Sequence, residues 1–318
     1  MTAPGDEAAR PGATAYGDDA ARGEGAGPAA PTPLRVGTRG SALALAQAGE
    51  VARLLGCSVE LVTVTTAGDV DRARGDKSRW VGTLEAALVA GEIDLAVHSA
   101  KDVPGELAPG TVIAATPRRA EPFDVLVGED ALASVREGAR VGTSALRRRA
   151  QLLAARPDLE VVEVRGNVDT RLAKRAAGEV DVLILAAAGL DRLGRRAEAG
   201  ALLHDGVFVP APGQGVIAVQ ARAGSPAAEA AARADHPATH AALDAEREVV
   251  RALDATCQTP VGVLATRDGV RAFVGRPDGS EHLVCAAASA AELIAELQAA
   301  GAFDLLDTLK GSDPSRFG

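Results

Sequence analysis

Residues 34–47 read LRVGTRGSALALAQ, and residues 141–151 read VGTSALRRRAQ. Each opens on an apolar run, turns through Gly-Thr and enters a stretch with helical spacing. A second signature follows each in the same order: Gly91-Glu92-Ile93-Asp94-Leu95, then Gly178-Glu179-Val180-Asp181-Val182. This order, twice over, predicts two similarly built α/β units with a ligand cleft between them. Open α/β sheets bind ligands beyond the carboxyl ends of their strands, and clefts between units are favoured sites.

Working outward, the spacing predicts strands at Leu34–Gly37, Val59–Thr65 and Ile93–His98, with helices at Ser41–Leu55 and Leu84–Val89. Pro117–Glu121 reads as a crossing into the second unit. Val209–Gly215 reads as a return, after which a strand at Val216–Gln220 rejoins the first. A third unit opens near His236 with a helix (Ala241–Leu253), three strands (Val261–Thr266, Val270–Gly275, His282–Ala286) and a last helix (Ala290–Ala300). The fold class is therefore α/β in three domains: 34–117 with 216–234, then 118–215, then a small α/β domain at 235–318. Residues 1–33 hold no Val, Ile, Leu or Phe. They cannot bury enough apolar surface to offset their ordering entropy, and are expected to form a disordered tail.

The chain has 318 residues with a formal net charge of −9, and only 2% of them are aromatic. That balance argues against a nucleic-acid partner, which wants a basic face and stacking side chains. No run of about 18 apolar residues suggests a membrane span. Cys57, Cys257 and Cys285 form no CxxC motif, so a reduced, cytoplasmic protein is expected. Cys57 and Cys285 sit in apolar sequence and read as small core residues. His236 and His240 have metal-ligand spacing, but Pro237 and the lack of a third ligand argue against a metal.

Chemistry concentrates at the strand-to-helix turns. The chain carries 30 arginines against four lysines. Arg39 lies in the first turn, Arg147, Arg148 and Arg149 open the helix after Thr143-Ser144, Arg165 ends a strand and Arg171 begins a helix. Cations at a helix N-terminus are locally unfavourable by a few tenths of a kcal/mol each, so their repetition points to a site. Guanidinium forks with free N–H groups suit carboxylates or phosphates. In an acidic protein the expected ligand is a small acidic molecule, and these residues alone fit either a binding protein or an enzyme. Val97–Pro104 (VHSAKDVP) is a second constellation: an apolar strand ends at His98-Ser99, and Lys101-Asp102 face the expected cleft. A carboxylate beside arginines is held in its charged form. It can accept from ligand N–H groups or stabilise a developing cation. Cys257 lies in a loop where a thiol can be reached.

These motifs together resemble the hydroxymethylbilane synthases, also called porphobilinogen deaminases. The matching segments are TRGSALALAQ (38–47), TTAGD (65–69), GEIDLAVHSAKDVP (91–104), EPFDVLV (121–127), VGTSALRRRAQL (141–152), RGNVDTRL (165–172), AAAGLDRLG (186–194), PAPGQG (210–215) and CQTPVG (257–262). They run in family order across residues 34–300. The resemblance implies a three-domain fold whose first two domains are like periplasmic binding proteins. It implies a transferase of heme and porphyrin biosynthesis that condenses four porphobilinogen molecules head to tail, with loss of ammonia, to hydroxymethylbilane. It implies a covalent dipyrromethane cofactor attached at Cys257, a catalytic Asp102 and a monomer. Each porphobilinogen carries an acetate and a propionate. Arg39, Arg147, Arg148, Arg165, Arg171 and Arg192 are the implied carboxylate binders, with Ser41, Lys101, Thr143 and Ser144 as partners and Ser99 in support. Asp102 would stabilise the cationic azafulvene formed when ammonia leaves. Two departures stand out. Lys77 matches one of two lysines in the family's lid loop, but Ala73 replaces the other. Ala255-Thr256 precede the cysteine where the family tends to have Gly-Gly.

Overall fold

The computed structural model describes residues 32–64, 78–256 and 258–310. Nearly all of the tail read at 1–33, together with Lys77 and Cys257, lies outside the described residues. From Leu34 the chain forms β1 (Leu34–Thr38), α1 (Ala42–Leu55), β2 (Val59–Thr63), α2 (Ser78–Val89), β3 (Leu95–Ser99), a 3₁₀ turn (Ala100–Asp102) and β4 (Thr111–Ala115). It continues through β5 (Asp124–Val127), β6 (Arg140–Gly142), α3 (Leu146–Ala155), β7 (Glu160–Val162), α4 (Val168–Ala176), β8 (Val182–Ala186), α5 (Ala187–Arg192) and β9 (Leu202–Leu203). Last come β10 (Ile217–Arg222), α6 (Pro226–Ala231), α7 (Pro237–Ala252), β11 (Val261–Thr266), β12 (Gly269–Gly275), β13 (His282–Ala287), α8 (Ala290–Ala299) and α9 (Ala302–Lys310).

Two five-stranded sheets have the same plan, ordered β2-β1-β3-β10-β4 and β7-β6-β8-β5-β9. In each, four strands run in one direction and the fourth in the order runs against them. That fourth strand is the one that arrives from a crossing: β5 enters the second sheet after 117–121, and β10 returns to the first after 209–216. All five strands of the second sheet thus come from 118–215, and the first sheet takes back one strand, β10, from beyond it.

The sequence repeat has a packing reason. A Cβ on Gly37 would lie 2.3 Å from Ile93 Cδ1, and one on Gly142 would lie 2.8 Å from Val164 Cγ2 and 3.1 Å from Val180 Cγ2. Ile93 and Val180 occupy the same place in the two GE(I/V)D signatures. The aspartates after them match as well. Asp94 accepts from the Arg35 backbone N–H at 2.9 Å, and Asp181 from that of Arg140 at 2.7 Å. Each also meets that arginine's guanidinium. Gly-Thr and Glu-Ile/Val-Asp therefore recur because one strand-to-strand junction is built twice.

Local signals place the helices. The Ser41 side chain caps α1 by accepting from Ala44 N, and the helix stops at Gly56, which takes the left-handed conformation at φ 63°. Its Gln47, Val51 and Leu55 form a buried stripe at i, i+4, i+8. Each fully buried Leu or Val here contributes about 1.5–3 kcal/mol of transfer free energy. The third sheet, β11-β12-β13, is antiparallel. Its core joins Val263 and Val274 to Leu293 of α8 and Leu305 and Leu306 of α9.

Some expectations need correcting. The second helix starts at Ser78, not Leu84. Helix α9 is additional, its apolar face covering the third sheet. Arg165 lies three residues beyond the end of β7 rather than ending a strand. Cys57 is exposed rather than a core residue, because the chain has just left α1 at its surface C-cap; Cys285 is partly buried.

Candidate active site

Strand β3 ends at Ser99 and the chain tightens into the 3₁₀ turn that presents Lys101 and Asp102. The Ala100 N–H donates to the carbonyl of Val216 at 3.0 Å, tying this turn to the return crossing. Gly213 of that crossing, at φ +71°, sits so close that a Cβ would lie 2.9 Å from Lys101 N. A larger residue there would push the Asp102 turn out of place. The Ser99 hydroxyl lies 2.9 Å from Gln47 Nε2 and 3.1 Å from Gln47 Oε1, which fixes the strand end against α1.

Two cavities meet at Asp102. The smaller is lined by Arg39, Ser41, Gln47, His98, Ser99 and Asp102. The larger, of about 480 Å³, is lined by Lys101, Asp102, Arg147 and Arg148 together with Arg247, Thr256, Gln258 and Thr259. That volume falls inside the roughly 300–1,000 Å³ usual for ligand sites. Cys257 lies outside the described residues, but its neighbours on both sides line this cleft.

The charges are arranged around one buried carboxylate that sequence reasoning did not single out. Asp124, at the start of β5, receives Arg147 Nη1 at 2.8 Å and Arg148 Nη2 at 2.7 Å. Burial alone would raise its carboxyl. The two guanidiniums outweigh that and hold it well below the usual carboxylate range. Gln214 of the return crossing donates to Asp124 at 2.8 Å and accepts from Lys101 Nζ at 3.4 Å. Lys101, on the first sheet's turn, is thereby linked to the arginines of α3 on the second. The available signal for Asp124 was a carboxylate opening a strand, DVLV, whose four residues are all buried.

Thr143 is buried, and its hydroxyl accepts from Ala145 N at 3.2 Å, with Ser144 half-buried beside it. No acidic residue opens α3, so the N–H groups of its first turn and three arginines form one electropositive corner. Arg171 belongs to the same field. Burial and the nearby charges of Arg148 and Arg165, partly offset by Asp102, bring it down to about 10. Arg171 Nε donates to Gly166 O at 2.9 Å.

Two arginines from the sequence set stand on internal carboxylates. Arg165 pairs with Glu163 at 2.7 Å on the exposed side. Arg192 donates to Glu50 of α1 at 3.0 Å and to Gly215 O at 3.2 Å, so it bridges α5, α1 and the return crossing. Neither lines the two cavities. The third sheet is fastened by Glu246 of α7, which is fully buried. It accepts from Arg119 Nη1 at 2.5 Å, Gly213 N at 2.6 Å and Ala265 N at 2.9 Å. Both crossings are therefore held by the helix that leads to Cys257. Among the described residues no cluster of His, Cys, Asp and Glu could hold a metal ion.

His98 is structural. Gln220 Nε2 donates to Glu85 and Thr111, each at 2.8 Å, so its Oε1 is the acceptor facing His98 Nε2 at 3.1 Å. Burial pulls His98 down from 6.5 to about 4, against the opposing charges of Glu85 and Asp102. The unfolded chain binds this proton near pH 6.5 and the folded one only near pH 4. Stability from neutral His98 is thus full above pH 6.5 and lost as the pH falls towards 4, by about 3 kcal/mol. Urea unfolding between pH 7 and 4 is expected to show this slope, and His98→Gln, which keeps a donor, to flatten it; an unchanged slope contradicts the assignment.

Comparison with known proteins follows the same outline. Residues 34–230 match the family model for porphobilinogen deaminase, dipyrromethane cofactor binding domain, and residues 241–300 match that for porphobilinogen deaminase, C-terminal domain. The chain is similar to the porphobilinogen deaminase of Leifsonia xyli subsp. xyli, 44% identical over 314 residues, covering 87% of this chain and 95% of the relative. It is 46% identical over 263 residues to that of Roseiflexus sp. (strain RS-1), covering 77% and 87%. Among solved structures, a nutrient-binding protein from Burkholderia cenocepacia bound to methionine matches with a TM-score of 0.40 and 14% identity, covering 63% of this chain and 90% of that one.

Proposed function

Because the chain belongs to the porphobilinogen deaminase family, we propose that the two cavities meeting at Asp102 are its active site. The protein is a transferase of tetrapyrrole biosynthesis that joins four porphobilinogen molecules head to tail, with loss of ammonia, into hydroxymethylbilane. Its cofactor is dipyrromethane. The observation that carries the site assignment is the position of Asp102, in the wall shared by a cleft with Arg39 and Ser41 and a cleft with Lys101, Arg147 and Arg148.

The residues present fit the cofactor. Its carboxylates need cations, and Arg147 and Arg148 bring two guanidiniums to the single carboxylate of Asp124. When bound, the cofactor supplies a nucleophilic pyrrole carbon at its free end. Cys257 would hold it as a thioether, and Lys101, Arg147, Arg148 and Arg171 would neutralise its acidic side chains, with Thr143 and Ser144 as donors. Arg39 and Ser41 would receive the acetate and propionate of the incoming substrate. Asp102 would face the substrate's pyrrole N–H and stabilise positive charge there as ammonia leaves. Ser99 steadies the strand end through Gln47. Arg165 holds Glu163 in an exposed pair worth at most about 1 kcal/mol, so it can turn to a substrate carboxylate at little cost. Arg192 reaches one only by leaving Glu50. Lys77 is assigned to the lid by its motif.

The three sheets support domains at 34–117 with 216–234, 118–215 and 235–318, with 117–121 and 209–216 as the segments about which the cleft opens. We assign a monomer, supported by large exposed apolar side chains that are few: Leu45, Leu54, Leu61, Val89, Val112 and Val284 among the described residues. We assign the cytoplasm, where Cys257 stays a reduced thiol able to form the thioether.

Given porphobilinogen, the protein is expected to release ammonia in step with substrate consumption. Arg171→Gln is expected to lower kcat/KM by about ten- to a hundredfold, the worth of a hydrogen bond to a charged group. Consumption without ammonia, or an unchanged kcat/KM, contradicts the assignment.

A further inference from the structure

Arg247 is only 7% exposed, yet it lines the larger cleft together with Lys101 and Arg148. Its Nη2 donates to the carbonyl of Gly105 at 2.7 Å, in the loop that follows Asp102. The other buried guanidiniums of this cleft, Arg147 and Arg148, share the carboxylate of Asp124. Among the described residues no carboxylate lies within ion-pair distance of Arg247. Burial lowers it, as does Arg251, while Asp244, Glu106 and Glu85 act only from a distance. A charge buried to this degree is expensive unless an anion meets it. Arg247 also has a defined place. It lies on α7, the helix that runs into the Ala255-Thr256 approach to Cys257, and Thr256, Gln258 and Thr259 share its cleft.

We propose that Arg247 is a carboxylate-binding residue for the pyrrole ring tethered to Cys257, reading that ring's acidic side chain from the third domain while Arg147 and Arg148 hold the cofactor from the second. The inference rests on the site assigned above. Arg247 is at once a ligand for the first ring and a brace on the Asp102 loop, so the loaded cofactor draws the third domain and that loop together.

Loading is the direct test. Apoprotein made in a host that cannot synthesise porphobilinogen is incubated with porphobilinogen, and covalent loading is followed by intact mass. Melting temperatures are taken before and after. Arg247→Gln is expected to load about ten- to a hundredfold more slowly and to gain less than half the wild-type rise in melting temperature. Arg247→Lys is expected to fall between, because it keeps the charge without the fork, and Arg233→Gln, on an exposed turn, to load like wild type. Loading of Arg247→Gln at the wild-type rate with an undiminished rise overturns the proposal and leaves Arg247 as a donor to Gly105 alone. Should that variant fail to fold, Arg247→Lys decides: slower loading with an unchanged apoprotein melting point supports the assignment, and wild-type loading overturns it. Failure of the wild-type protein itself to acquire an adduct removes the underlying site, and is seen in a separate arm.

Discussion

Asp102→Asn is expected to lower porphobilinogen turnover by about 10²–10³-fold, the usual effect of removing one group that stabilises developing charge. Its melting temperature is expected to stay within a few degrees of wild type. The substitution preserves shape and removes only the negative charge. The 3₁₀ turn around it is held by backbone contacts, Ala100 to Val216 and Val103 to Ala100, which do not involve the carboxylate. A large kinetic effect with a small thermal one separates a charge that acts on the substrate from one that holds the fold. Wild-type turnover in Asp102→Asn would mean that another group stabilises the cation.

Asp124→Asn is expected to do the reverse: a stability loss of about 3–5 kcal/mol, because removing one member of a buried charged cluster leaves its partners uncompensated. Here the partners are Arg147 and Arg148, 5% and 6% exposed, with Gln214 and Lys101 behind them. Urea unfolding at pH 7 measures this, and a loss under about 1 kcal/mol would contradict the central place given to Asp124. The pH dependence has a matching sign. The folded carboxyl is held below its unfolded range, so its contribution is complete at neutral pH and is lost only as the pH falls below about 4. Between pH 6.5 and 4 His98 is expected to contribute a loss of stability of its own.

The duplicated α/β plan was legible because its packing leaves residues behind. Gly37 and Gly142 are small to clear Ile93 and Val180, and Asp94 and Asp181 recur to satisfy the N–H groups of Arg35 and Arg140. The arginines were legible as a set because cations at strand-to-helix turns break a local electrostatic preference. What each arginine faces was not. Arg192 meets Glu50 from 142 residues away, and Arg119 meets Glu246 from 127. Such pairings follow from the chain's crossing out of the first sheet and back into it, which no local pattern encodes. Arg247 was missed because it sits among Glu246, Glu248 and Arg251 on an amphipathic helix, where a buried cation and a solvated one look alike in sequence. Cys57 was misjudged because neighbouring apolar residues do not tell a strand's interior from a helix's surface cap.

The most direct measurement is the intact mass of the purified protein beside that of Cys257→Ser. The wild-type protein is expected to carry a covalent increment of two porphobilinogen units less the ammonia lost in coupling, and the variant to have its bare polypeptide mass. A wild-type protein that stays unmodified after incubation with porphobilinogen, or an increment that survives Cys257→Ser, would contradict a thiol-tethered primer in the guanidinium-lined cleft.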